Sequence, residues 1–102
     1  MNETEKERFA RYKKEIIKII HEIIPGCKIY LFGSRARKDH DLGSDIDIAL
    51  DANKPIEKKT IYLIEEKIEK TNIPQTVDVV DLHAASGTFK KEIENEGILW
   101  EN

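Results

Sequence analysis

A chain of 102 residues has room for one domain with a two-layer core, so a function that needs two domains must take the second from elsewhere. Hydrophobic residues make up 39% of it and charged residues 36%, and the apolar ones fall in periodic runs, which excludes a disordered chain. The net charge is −3 with acids and bases interleaved, so no cationic stripe exists to track a phosphate backbone, and stable nucleic-acid binding is not expected.

No apolar run approaches the ~18 residues of a membrane span, and the first residues are charged, which predicts a cytoplasmic protein without membrane contact. Thr4 and Glu7 form a capping-box pattern. Phe9, Tyr12, Ile16, Ile19, Ile20 and Ile23 then recur at helical spacing until Pro25-Gly26, which predicts a long amphipathic first helix. The single cysteine, Cys27, cannot form an internal disulfide and opens a β-like run, CKIYLF, where it reads as a small buried residue.

Residues 33–44 lack a sustained apolar period and carry glycines, serines and aspartates in turn-forming order, a loop with room for one helical turn around Ser34 to Arg37. SDIDIAL then alternates: Asp45, Asp47 and Ala49 are expected on one face of a strand, and Ile46, Ile48 and Leu50 on the other. Pro55 suits the first turn of a helix that Ile56, Thr60, Leu63, Ile64 and Ile68 continue to about Lys70, before TNIPQ breaks it. TVDVVDL is a third strand with Asp78 embedded among valines, and a last helix over roughly 88–96 ends at Gly97, before a short ILWE extension with room for a final strand. The order implies a single domain over 1–102 of the α/β (α+β) class: a small mixed β-sheet with helices packed on its apolar face, its acidic face left open.

The densest passage is LFGSRARKDHDLGSDIDIAL, residues 31–50. Residues two apart on a strand lie roughly 6.5–7 Å apart and point the same way, so Asp45 and Asp47 converge. Paired carboxylates repel unless cations sit between them, and hard oxygen donors suit Mg²⁺, with Mn²⁺ as the alternative. Asp78 from the third strand supplies a third carboxylate, and three can hold two ions about 3.5–4 Å apart, an arrangement that clamps both oxygens of an in-line displacement at phosphorus. Mg²⁺ takes its remaining ligands from substrate phosphates, so a nucleoside triphosphate is implied.

Directly after a strand, Gly33 lets the backbone approach an anion, and Ser34 adds a hydroxyl to a cradle of N–H groups. Arg35 and Arg37 are both near enough in sequence to neutralise phosphate, and the sequence does not choose between them. Asp81 competes with Asp78 for the third position, but it stands at the strand's end, where a cap or turn role suits it, so Asp78 is preferred. His21, His40 and His83 have no metal-ligand spacing, and His40 reads as a solvated loop residue. Trp100 and Tyr30 read as core or sheet-edge residues, while the terminal ILW offers an alternative reading as a partner contact.

Gly-Ser, a short spacer, then Asp-x-Asp on a strand resembles the signature of the DNA polymerase β nucleotidyltransferase superfamily, and the chain's length and ending resemble its minimal nucleotidyltransferases, the MNT proteins. The resemblance covers nearly the whole chain and implies a polymerase β palm-like nucleotidyltransferase fold. It implies Gly33 and Ser34 as the phosphate-loop pair, with Arg35 and Ser44 beside the nucleotide, and Asp45, Asp47 and Asp78 as catalytic and metal-binding acids. Many members have a glycine where Lys38 stands, and a longer or more proline-bearing spacer.

The activity so implied is Mg²⁺-dependent transfer of AMP, or another NMP, from ATP to a hydroxyl, a protein adenylyltransferase chemistry. Larger superfamily members append a helical domain for the acceptor. Relatives of this size are typically paired with a small all-helical HEPN protein, which implies an antitoxin that modifies its toxin. The alternatives are a non-catalytic antitoxin that neutralises its partner by binding, and the catalytic subunit of a two-chain small-molecule nucleotidyltransferase.

Overall fold

The computed structural model describes residues 3–41 and 43–101. Helix α1 (Glu5–Ile23) starts at the expected capping box: the Thr4 hydroxyl accepts from the Glu7 N–H at 3.1 Å, and the Glu7 carboxylate reaches back to the Thr4 N–H. Its buried stripe is Tyr12, Ile16 and Ile20, as helical spacing requires. Strand β1 (Lys28–Phe32) runs into a single helical turn, α2 (Ser34–Arg37), and the loop returns as β2 (Ile46–Asp51). Then follow α3 (Lys58–Glu69), β3 (Val77–Asp81), a 3-10 turn (Leu82–Ala84), α4 (Gly87–Glu96) and β4 (Ile98–Glu101). Among the described residues no helix is long and apolar enough to cross a membrane.

The strands form one mixed sheet in the order β3-β2-β1-β4, with β1 antiparallel to β2 and β4 and β3 parallel to β2. One face carries the main core. Ile29 and Leu31 of β1, Ile46, Ile48 and Leu50 of β2 and Val77 and Val79 of β3 pack there with Ile16, Ile20, Ile64 and Ile68 of α1 and α3. Trp100 of β4 joins them edge-on to Phe9, with ring centroids 6.0 Å apart. Cys27 is buried in this core, and burial pushes its thiol up to about 11, so it packs rather than reacts.

The opposite face differs from expectation in one respect. It is not wholly open, because α4 folds back over part of it and Ile93 packs with Ala49 and Leu82, with Tyr30, Phe32, Val80 and Phe89 around them. Ala49 is the reason: a fully buried alanine among acids leaves a shallow apolar patch that needs cover. What stays uncovered is the end bearing Asp47 and Asp78, half-buried and exposed respectively.

Two boundaries also moved. Asp45 lies one residue before β2, which begins at Ile46 with its N–H donated to Thr76 O at 2.9 Å. Pro55 stands outside α3, because the next N–H, that of Ile56, is captured by the Asp81 carboxylate at 2.9 Å and the helix starts only at Lys58.

Candidate active site

Gly33 closes β1 with φ 75° and ψ −156°, a backbone conformation essentially reserved for glycine. It lies against the second carboxylate: a Cβ built there would stand 2.5 Å from Asp47 Oδ2. The turn that follows is held by Ala36 and Arg37 N–H groups donating to Gly33 O, each at 3.1 Å, and by Asp39 N–H donating to Ser34 O at 3.1 Å. Lys38 ends it in the left-handed region, φ 65°, a conformation that glycine adopts most readily. Phe32, just before Gly33, pairs with Asp47 across the β1–β2 ladder, so the turn and the Asp-x-Asp stretch share one end of the sheet.

The parallel β2–β3 register places Asp47 directly beside Asp78. Neighbouring strands lie roughly 4.8 Å apart and opposed residues share a face, so both side chains rise from the uncovered end. Burial, and then the charges of Asp78 and Asp45, hold the Asp47 carboxyl above the ordinary aspartate range, against a smaller opposing pull from Arg37. Asp47 is therefore within electrostatic reach of both other acids. Among the described residues no three His, Cys, Asp or Glu side chains enclose an ion by themselves, so the acids form an open platform.

The donor set nevertheless fits a hard divalent ion that completes its shell with water and phosphate: only carboxylate oxygens, one with raised proton affinity, beside a glycine whose missing Cβ leaves room.

Two expected nucleotide contacts have other partners here. Arg35 is 5% exposed; its Nε donates to Ser44 O at 3.2 Å and its guanidinium lies 4.9 Å from the Phe9 ring centroid, so it ties the loop to α1. Ser44 closes a turn, its Oγ accepting from the Asp41 N–H at 2.9 Å and its N–H donating to Asp41 O at 3.1 Å. Of the two arginines, Arg37 is the exposed one; its charge reaches Asp47, and it pairs with Asp39 at 3.3 Å and Glu96 at 3.6 Å.

Asp81 is committed to the backbone, accepting from the His83 N–H at 3.0 Å and the Ile56 N–H at 2.9 Å, whereas Asp78 stands on the exposed face. The Arg37–Glu96 contact had no signal in sequence, because it depends on α4 folding back over the sheet. His83 also bonds Asp51 at 2.7 Å, and Asp51 is held below the ordinary aspartate range chiefly by the Asn53 N–H and then by His83.

The sequence profile of the family described as polymerase beta, nucleotidyltransferase, matches residues 9–100. The protein adenylyltransferase MntA of Shewanella oneidensis is 32% identical over 90 residues, covering 86% of this chain; the chain spans 64% of that relative's length. A solved toxin–antitoxin structure with AMP-PNP superposes with a TM-score of 0.75 at 30% identity, over 86% of this chain and 71% of the other. A second, tri-AMPylated Shewanella oneidensis HEPN toxin in complex with MNT antitoxin, gives 0.71 at 28% identity, over 89% and 70%. With a four-stranded mixed sheet carrying Gly33-Ser34 and Asp45-x-Asp47 at one end, and a profile match over nearly its whole length, the chain belongs to the polymerase beta nucleotidyltransferase family, among its minimal nucleotidyltransferases.

Proposed function

We propose that the protein transfers AMP from ATP to a hydroxyl of a partner protein, and that the partner is a small all-helical HEPN-type toxin which this modification silences. The observation that carries the reading is the pairing of Asp47 with Asp78 across parallel strands, with Gly33 seated against Asp47. Phosphate cradle and carboxylates then belong to one site. The relatives named adenylyltransferase, and the solved complexes with toxins, support AMP as the group transferred and a HEPN protein as its acceptor.

Asp45, Asp47 and Asp78 would hold two Mg²⁺ ions, or Mn²⁺, which when bound supply charge neutralisation at the phosphates and activation of the attacking hydroxyl. The chain's own work is positioning. Gly33 and Ser34 present backbone N–H groups and a hydroxyl to the triphosphate, while Arg37 is the cation available to it at the mouth of the site. Asp78, exposed on β3, receives the proton as the acceptor oxygen bonds to the α-phosphorus and the bond to the departing pyrophosphate breaks. Arg35 and Ser44 hold the loop's shape, so their effect on nucleotide is indirect. The same reading makes the protein cytoplasmic, where ATP and such a partner meet.

Incubation of the protein with its helical partner, ATP and Mg²⁺, followed by intact mass spectrometry of the partner, is the test. The expected result is added AMP, lost in Asp45→Asn/Asp47→Asn. No AMP on the partner, with toxicity still suppressed by that double variant, would overturn the enzymatic reading in favour of neutralisation by contact. AMP on a small-molecule acceptor instead would assign the two-chain transferase.

A further inference from the structure

Behind the phosphate loop, on the other side of the sheet from Asp47 and Asp78, lies a cavity of about 630 Å³ between the start of α1, β4 and the loop. Leu31 and Trp100, which line it, belong to the core face, whereas Phe32 and Asp47 turn the opposite way, so the cavity is separate from the carboxylate platform. Its size falls within the range of small-molecule sites. Phe9 and Ile98 complete an apolar floor with them.

The rim is cationic in a protein of net charge −3. Lys6, Lys13 and Lys38 line it, with Arg35 buried behind them, and among the described residues Glu5 is the one acid of the lining. Lys13 is poised over the Trp100 ring, 5.8 Å from its centroid. His40 lines the same cavity, and its Nδ1 is buried with no hydrogen-bond partner among the described residues.

We propose that this cavity is a second ligand site, which takes a small anion carrying an apolar ring or chain. The apolar part lies on Phe9, Leu31 and Trp100, and the anionic head meets Lys6, Lys13 and Lys38. Through Arg35, which lines the cavity and holds Ser44 O, occupancy reaches the loop that carries Gly33 and Ser34.

Trp100 is the only tryptophan, which makes the test direct. Titration with 1-anilinonaphthalene-8-sulfonate should give saturable probe emission sensitised by Trp100. Lys13→Glu should weaken it about tenfold or more, since a cation near the head becomes an anion. Lys70→Glu, the same charge change on the end of α3, should leave it unaltered. If Lys13→Glu proves unfolded by circular dichroism, Lys6→Glu, at an exposed position, takes its place with the same expectation. Absent Trp100-sensitised emission, equal affinities in the cavity variant and Lys70→Glu, or displacement of the probe by inorganic phosphate at equimolar concentration, would overturn the proposal.

Discussion

Replacing Gly33 by alanine perturbs both halves of the site at once. The glycine has φ 75° and ψ −156°, and the added Cβ would stand 2.5 Å from Asp47 Oδ2, closer than real Cβ contacts come. Forcing an L side chain into that backbone region costs about 1–3 kcal/mol. Displacing the Asp47 carboxylate adds to it, while the stiffer unfolded chain returns about 0.4–1 kcal/mol. The net destabilisation is about 2 kcal/mol, which in a domain of this size lowers Tm by roughly 8–16 °C.

Chemistry should suffer more than stability, because a carboxylate moved by about 1 Å costs on the order of 100-fold in rate. Thermal unfolding by circular dichroism and AMP transfer measured by mass are the assays, with Gly43→Ala as control. Gly43 has no heavy atom within 4 Å of a built Cβ, so its alanine should stay within about 0.5 kcal/mol of the parent. If Gly33→Ala matched Gly43→Ala in both Tm and rate, the close packing of cradle on carboxylate would not be what holds the site together.

Asp78→Ala and Asp81→Ala should separate cleanly: the first abolishes transfer with little change in Tm, and the second lowers stability by about 1–3 kcal/mol by stranding the Ile56 and His83 N–H groups. Reversal of that pattern in paired melting and transfer assays would assign the third acid to Asp81. Asp47→Asn should raise the Tm of the metal-free protein at neutral pH. Its carboxyl is held above the ordinary range by burial and by Asp78 and Asp45, so the fold binds that proton more tightly than the unfolded chain. Stability from it is fully present below the unfolded aspartate pKa and is lost as pH rises through the raised one, so the variant's advantage should vanish in acid. Millimolar Mg²⁺ should stabilise the parent and leave Asp47→Asn unmoved, read by the same melts. Lys38→Gly should gain up to about 1 kcal/mol by relieving a left-handed φ of 65°, and a fall in Tm would refute the strain.

Much of this was written in the chain. The period-two alternation of SDIDIAL and the valines around Asp78 announced two acid-bearing strands. The capping box announced the start of α1, and Pro25-Gly26 its end. Four features were hidden for physical reasons. Strand register is a long-range property, so nothing local said that Asp47 would stand beside Asp78 rather than two residues away. Arg35 and Arg37 look alike in sequence, and only the fold offers the Phe9 ring and Ser44 carbonyl that let Arg35 be buried. Pro55 is compatible with a helix start, but Asp81, 25 positions on from Ile56, competes for the backbone there. Ala49 looked like a neutral member of an acidic face, and its smallness concealed the seat on which Ile93 of α4 rests.

The antiparallel pairing of β1 with β2 has one more consequence. Because Phe32 and Asp47 are ladder partners, the segment from Gly33 to Asp45 leaves the sheet and returns to the neighbouring position, like thread passing out and back through adjacent eyelets. Its outer part, the described residues 39–41 and 43, sets neither end of the stitch. Doubling the length of a flexible loop costs only about 0.6 kcal/mol in closure entropy. A reporter peptide or fluorophore spliced into that segment would therefore ride beside the carboxylates with the β1–β2 ladder still paired at both of its ends.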